Sequence, residues 1–259
     1  MTYNIPCPPW NGLGRKLESL MRRALLEFEM VHEAKKVAVA LSGGKDSIAL
    51  LAMLKAVSGR GFPPFELMAI HISGEASCGA GVGSGFLQSM CDGLGVPLIQ
   101  RSSKHTLEGL ECYSCSRERR SLIFQAAKEH DCTIIAFGHH EDDNAQTVLM
   151  NLFHKGEFAP LLPKISMVDY GITIIRPFIY VEERMLIEFA KLQGFHRITC
   201  QCPVGQVSKR KKTKELLEEI QEHFPHARHN IAEAALTHGS RKALRLPWRC
   251  LQNSVGDKI

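Results

Sequence analysis

One stretch, Lys36 to Leu54 (KVAVALSGGKDSIALLAML), limits the folds open to this chain more than any other. Val37 to Leu41 is a short apolar run rich in β-branched residues, the pattern of a buried strand. Ser42-Gly43-Gly44-Lys45-Asp46-Ser47 is a turn of small and polar residues that ends it. Ile48 to Leu54 is apolar on every side, as a helix buried against a sheet must be. A strand feeding a glycine turn and then a helix presents unpaired backbone N–H groups to an anion, at the positive end of the helix dipole. Gly43 and Gly44 carry no Cβ, so a phosphate can approach the backbone closely. Lys45 adds a full positive charge. Asp46 would repel a bare phosphate; it points to a magnesium ion shared with the phosphates, or to the positioning of a reacting group.

The common kinase and ATPase loop places Ser or Thr directly after its Lys, whereas Asp46 follows Lys45 here. An ordinary strand-to-helix turn would suffice to explain a bare Gly-Gly pair. The full SGGKDS hexapeptide in this context favours function, and it resembles the PP-loop of the ATP pyrophosphatase superfamily. That resemblance implies cleavage of ATP to AMP and pyrophosphate, with transfer of the adenylyl group to an oxygen of the substrate.

A chain of 259 residues, 44% hydrophobic, is long enough for one sizeable core with a small appendage. No apolar run reaches the ~18 residues of a membrane span. The opening MTYNIPCPPW lacks the basic-then-apolar pattern of a secretory signal, so a cytoplasmic protein without membrane contact is expected. The net charge of +5 is unevenly spread. It gathers in Ser208–Lys214 (SKRKKTK) and in Arg241, Lys242, Arg245 and Arg249, each a nucleic-acid surface or a solvated helix face. Nine cysteines, an odd number in a reducing compartment, argue for thiolate ligands or a reactive thiol rather than a disulfide framework.

Elsewhere strands and helices alternate. Helical spacing covers Leu13 to His32, Phe86 to Leu94, Ser116 to His130, Glu141 to His154 and Val181 to Gln193. Strand patterns cover Phe65 to Ile72, Pro97 to Gln100, Cys132 to Phe137 and Ile172 to Ile175. Gly74 to Gly85 and Cys112 to Cys115 read as loops. This alternation predicts an α/β fold with a doubly wound parallel sheet and a small helical C-terminal region. The expected division is an N-terminal arm and helix over 1–35, a nucleotide-binding domain over 36–205 and a basic helical extension over 206–259. Ligands of such sheets sit at the carboxyl ends of the strands, where SGGKDS and the GHHEDD that follows the fourth strand share one crevice.

Cys112-Tyr113-Ser114-Cys115 is a CxxC pair, and Cys200-Gln201-Cys202 lies farther along, before Pro203. Spacing alone leaves open a four-thiolate zinc site, a three-thiolate iron–sulfur cluster with one open iron, and a redox or persulfide pair.

The segments SGGKDS, CYSCSRERRSLIF, GHHEDDNAQTVLMNLF, IIRPFIYVEERMLIEFA and CQCP occur in that order. Together they resemble the tRNA 2-thiocytidine synthetase family over roughly residues 13 to 225. The resemblance implies an adenine nucleotide alpha hydrolase-like (HUP) fold and an enzyme, an ATP-dependent tRNA sulfurtransferase. It implies ATP and Mg2+, tRNA as substrate, a sulfur donor such as a cysteine desulfurase, and a homodimer. It also implies a 4Fe–4S cluster on Cys112, Cys115 and a third cysteine. That third ligand is Cys202, which directly precedes Pro203, with Cys200 in reserve, since CQCP is one residue shorter than the family's CxxC. Ser42, Gly43, Gly44, Lys45, Asp46, Ser47, Gly138 and His139 carry over as the nucleotide site, and Asp46 and Asp143 as catalytic residues. His140, Asp142 and Gln146 complete the second signature, though acidic residues also suit any helix N-terminus. Arg117, Arg119 and Arg120 meet tRNA phosphate or are solvated helix charges. Lys164 and Arg176 contact nucleotide or RNA, or are surface charges. Activity surviving in a Cys112→Ala variant would point instead to a tRNA-modifying ligase. Bound zinc without ATP turnover would point to a non-catalytic RNA-binding protein, and indifference to tRNA to a small-molecule sulfur enzyme.

Overall fold

The computed structural model describes residues 5–74, 84–103, 112–195 and 208–240. Five strands run parallel: β1 (Lys36–Ala40), β2 (Glu66–Ser73), β3 (Leu98–Ser102), β4 (Ile134–Ala136) and β6 (Ile172–Ile175). The remaining strand, β5 (Lys164–Met167), pairs antiparallel with β6, Ser166 opposite Thr173. The order across the sheet is β3-β2-β1-β4-β6-β5. From β1 the chain winds outward to β2 and β3, then returns to lay β4 on the other side of β1. The reversal falls between β1 and β4, where the loops beyond their carboxyl ends part and leave a crevice.

The helices α1 (Gly12–Glu27), α2 (Lys45–Val57), α3 (Ser84–Leu94) and α6 (Glu183–Gln193) cover one face. α2 lies inside this layer, and Ile48 to Leu54 are essentially inaccessible to solvent, which is why its sequence has no polar side. The helix α4 (Cys112–Glu129) covers the opposite face, with Ile123, Phe124, Ala126 and Ala127 packed on Met68, Ile70 and Ile135. A third, smaller core joins α5 (Glu141–Lys155) to α7 (Lys209–His223) and α8 (Ala227–His238) through Ala145, Leu149, Leu217 and Ala232.

Three local readings are corrected. The first helix stops at Glu27, short of His32: Phe28 and Met30 N–H groups fold back to the Ala24 and Leu25 carbonyls, and Glu29 takes a left-handed φ of 46°. Cys112 to Cys115 is not a loop but the first turn of α4. The sequence reading contained no β5, because four residues after Pro163 at a sheet edge carry little alternation.

The N-terminal segment is sewn to the rest. Asn11 caps α1, its side chain accepting from Gly14 N at 2.8 Å. Trp10 donates to Glu18 at 2.6 Å and meets Phe189 of α6 edge-on, the ring centroids 5.6 Å apart. Tyr180 donates to Glu27 at 2.8 Å, and Lys164 to the Glu29 carbonyl at 2.6 Å.

Candidate active site at the carboxyl ends of β1 and β4

The turn after β1 has the form of an anion cradle. Gly43 takes φ 85°, a conformation that side chains resist, and Gly44 is the N-cap of α2. Ser42 Oγ accepts from Gly44 N at 3.3 Å and lies 3.1 Å from Ser47 Oγ, which donates to the Gly44 carbonyl at 3.0 Å. Both serines therefore brace the turn. Lys45 Nζ sits over it, donating to Asp46 and to Glu183 Oε1 at 3.1 Å each. Burial alone would lower the Lys45 pKa, but the two carboxylates outweigh it and hold the ammonium firmly charged. Burial pushes the Asp46 carboxyl up instead. Its Oδ1 is shut off from solvent and makes no hydrogen bond, although it lies 3.0 Å from Lys45 Nζ.

The loop after β4 rests on this turn. A Cβ on Gly138 would stand 3.1 Å from the Asp46 carbonyl carbon, 3.2 Å from its oxygen and 3.2 Å from Ser47 N. Only glycine lets the two loops meet backbone to backbone. His139 stacks on Phe137 with centroids 5.7 Å apart, and burial drives its pKa to about 3, so the ring is neutral. Its Nδ1 is buried without a hydrogen-bond partner. His140 caps α5, and its N–H donates to Asp143 Oδ2 at 3.2 Å. Burial would raise the Asp143 carboxyl; His140 and Arg210 outweigh it and hold it well below the usual range.

The two acids of the second signature have different partners. Asp143 faces the crevice and accepts from Arg210 at 2.5 Å, while Arg210 Nε reaches Gln146 at 3.4 Å. Asp142 is a clamp: one oxygen accepts from Glu183 N at 2.7 Å, at the start of α6, and the other from Arg228 of α8. Glu183 lies between two ammoniums, Lys45 at 3.1 Å and Lys214 at 2.9 Å. Burial would raise its pKa, but Lys45 and Lys214 prevail and bring it down to about 2. Glu183, Arg210, Lys214 and Arg228 were not singled out from the sequence as site residues. The detectable signal was the four-residue spacing of Arg210 and Lys214, which puts both on one helix face.

Of the remaining cations, Lys164 is committed to Glu29, and Arg176 donates to the Leu162 carbonyl. Arg176 is half-buried, and its loss of hydration lowers its pKa to about 10 with help from Arg120. Arg119 Nε is buried without a partner. Its charge acts on His71, whose pKa is lowered mainly by burial and whose ring bonds the Leu41 carbonyl at 2.8 Å. Glu118 accepts from Ser103, just past β3, at 2.5 Å. The first turns of α4, with Cys112 and the buried Cys115, are thus tied to the same end of the sheet as the turn after β1.

The donor chemistry fits the expected groups in part. A buried carboxylate oxygen without a hydrogen bond beside a phosphate-shaped turn suits a hard divalent cation. Two thiols one helical turn apart suit an iron–sulfur cluster or another soft metal. Cys200 and Cys202 lie outside the described residues, as do Arg241, Lys242, Arg245 and Arg249. Among the described residues no three His, Cys, Asp or Glu side chains converge as a metal site.

Residues 15–199 match the PP-loop domain family. A tRNA-cytidine(32) 2-sulfurtransferase of Geobacter metallireducens is 32% identical over 85% of this chain and 88% of its own length. The enzyme of that name from Bordetella avium is 35% identical over 86% of this chain and 73% of its own. Among solved structures, the U34-tRNA thiolase NcsA of Methanococcus maripaludis with its [4Fe-4S] cluster superposes with a TM-score of 0.72. It is 22% identical and matches 89% of this chain and 82% of that one, a likeness of fold. With the cradle after β1, the glycine contact beneath it and the signature acids of α5 all in place, the chain belongs to the PP-loop family and, within it, to the tRNA-cytidine 2-sulfurtransferases.

Proposed function

We propose that this protein uses ATP to replace the 2-oxo group of a tRNA cytidine with sulfur, at position 32 as in its named relatives. The observation that carries this reading is that the β1 turn and the CxxC turn of α4 share one end of the sheet. The phosphates of ATP lie on Ser42 to Ser47, and Lys45, aimed by Glu183, meets their charge. Asp46 offers its unbonded oxygen to magnesium, which when bound neutralises phosphate charge. Gly138 and the neutral His139 form the floor beside the adenylate. Asp143, ionised and fixed by Arg210 and the His140 N–H, orients the reacting ends.

The base oxygen attacks the α-phosphorus, a new O–P bond forms as the bond from the α-phosphorus to pyrophosphate breaks, and the base carries AMP through its C2–O oxygen. Hydrosulfide then attacks C2, the C2–O bond breaks with loss of AMP, and a proton leaves the sulfur. Cys112, Cys115 and Cys202 would hold a 4Fe–4S cluster, which when bound would supply a thiophilic iron for hydrosulfide; a cysteine desulfurase would deliver that sulfur as a persulfide, from which a thiol reductant supplies the two electrons that release hydrosulfide. The protein contributes positioning and charge.

Anaerobic protein given ATP, sulfide and unmodified tRNA is expected to yield 2-thiocytidine and AMP. Release of ADP would reject adenylation. Cys112→Ala and Cys115→Ala are each expected to abolish thiolation and the broad visible absorbance while leaving ATP binding intact.

A further inference from the structure

The basic run Lys209–Lys214 invites a single reading as an RNA-binding surface, but α7 divides it by helical phase. Thr213 and Leu217 are buried against the body. Arg210 and Lys214 fall on that inner side and reach Asp143, Gln146 and Glu183. Lys209, Lys211 and Lys212 have exposed side chains, and Arg210, also largely exposed, turns its guanidinium back onto Asp143. The inner pair therefore ends on carboxylates of the crevice.

Each contact has a consequence for a group of the ATP cradle. Glu183 Oε1 accepts from Lys45 while Oε2 accepts from Lys214 at 2.9 Å, so Lys214 fixes the carboxylate that fixes the lysine of the turn. The backbone of Glu183 is pinned separately by Asp142 at 2.7 Å, which leaves its side chain as the movable part. Without Lys214, three acids (Asp46, Asp143 and Glu183) would face the crevice against Lys45 and Arg210. Their field would oppose an incoming polyphosphate. Arg210 does for Asp143 what Lys214 does for Glu183, with Gln146 as a second anchor.

We propose that Arg210 and Lys214 are positioning residues of the ATP site. They align Asp143 and, through Glu183, Lys45, and so make α7 a wall of the nucleotide site rather than an RNA-binding appendage along its whole basic face. The proposal rests on the reading that the β1 turn binds ATP.

The test uses the full chain without tRNA and measures Mg·ATP binding by equilibrium dialysis, with tRNA binding measured separately by filter retention. Lys214→Met and Arg210→Met are each expected to weaken Mg·ATP about tenfold, the order of one lost charge-assisted contact. Lys214→Arg is expected to recover most of that loss, which a merely structural role would not predict. Tight tRNA binding should persist in all three. Lys212→Met should show the opposite pattern, with weaker tRNA binding and unchanged Mg·ATP. The proposal is overturned if Lys214→Met and Arg210→Met bind Mg·ATP like wild type and lose only tRNA, or if Lys214→Arg is as impaired as Lys214→Met. Wild-type protein that does not bind Mg·ATP at all would overturn the functional reading as well, a result separable from the first two.

Discussion

Gly138 holds the crevice together through what it lacks. A methyl group there meets three backbone atoms of the β1 turn at 3.1–3.2 Å, and backbone cannot rotate away as a side chain can. Gly138→Ala is expected to cost about 1–3 kcal/mol of stability and to weaken Mg·ATP binding by displacing the β1 turn. Thermal melts and dialysis would check the two effects separately. Glu183 gives a pH signature. Its folded pKa, about 2, lies below the ordinary 4.5, so its stabilisation is present above about pH 4.5 and is lost as the pH falls toward 2. Glu183→Gln should therefore be less stable than wild type at pH 7, with the gap closing on acidification. Urea midpoints measured from pH 7 to pH 2 would show it, and a constant gap would refute the ion-pair account. The glycine and lysine of the turn were legible in the sequence because residues with special backbone or charge are rare in such a place. Glu183 and Arg228 were not, since a charged residue on a helix reads the same whether it faces water or another helix.

Among the elements, α7 makes the clearest case. Leu217 is wholly buried, in a small cluster with Ala145, Leu149 and Ala232. Leu217→Ala is expected to destabilise by about 2–3 kcal/mol and to raise amide hydrogen exchange in α7 and α8 before the sheet is affected. Uniform exchange across the whole chain would show instead that these helices are not a separate cooperative unit. Most strands and helices could be read from the sequence because buried parallel strands are continuous apolar runs and α2 is apolar all round. β5 could not, being short, charged at its first residue and paired on one side only. The first turn of α4 reads as a loop in the sequence because Cys112, Tyr113 and Ser114 are weak helix formers, and here helix formation is favoured by the tertiary setting.

For the proposed complex with tRNA, the exposed lysines of α7 are expected to set the response to salt. Replacing Lys209, Lys211 and Lys212 together by Met is expected to reduce the slope of log tRNA affinity against log salt by about 2–3, near one per phosphate contact. An unchanged slope would place the RNA elsewhere. The strand order adds a different constraint. Its reversal between β1 and β4 puts the two conspicuous motifs side by side, at the carboxyl ends of strands, where the alternation of strands and helices in the sequence already places a ligand. The partners that α7 and α8 supply could not be read in this way, because contacts between residues as distant as Asp142 and Arg228 leave no periodic trace in one sequence.

The clasp at the other end of the chain bears on how the protein is born. Tyr180 and Lys164 hold Glu27 and Glu29 across separations of 153 and 135 residues. A ribosome therefore releases α1 long before α6 exists for it to dock against. Its apolar stripe of Leu17, Met21, Ala24 and Leu25 must wait, only partly covered, while most of the sheet is synthesised. Slowed elongation between those points would prolong that wait and favour clumping of nascent chains, whereas finished molecules would be indifferent to it.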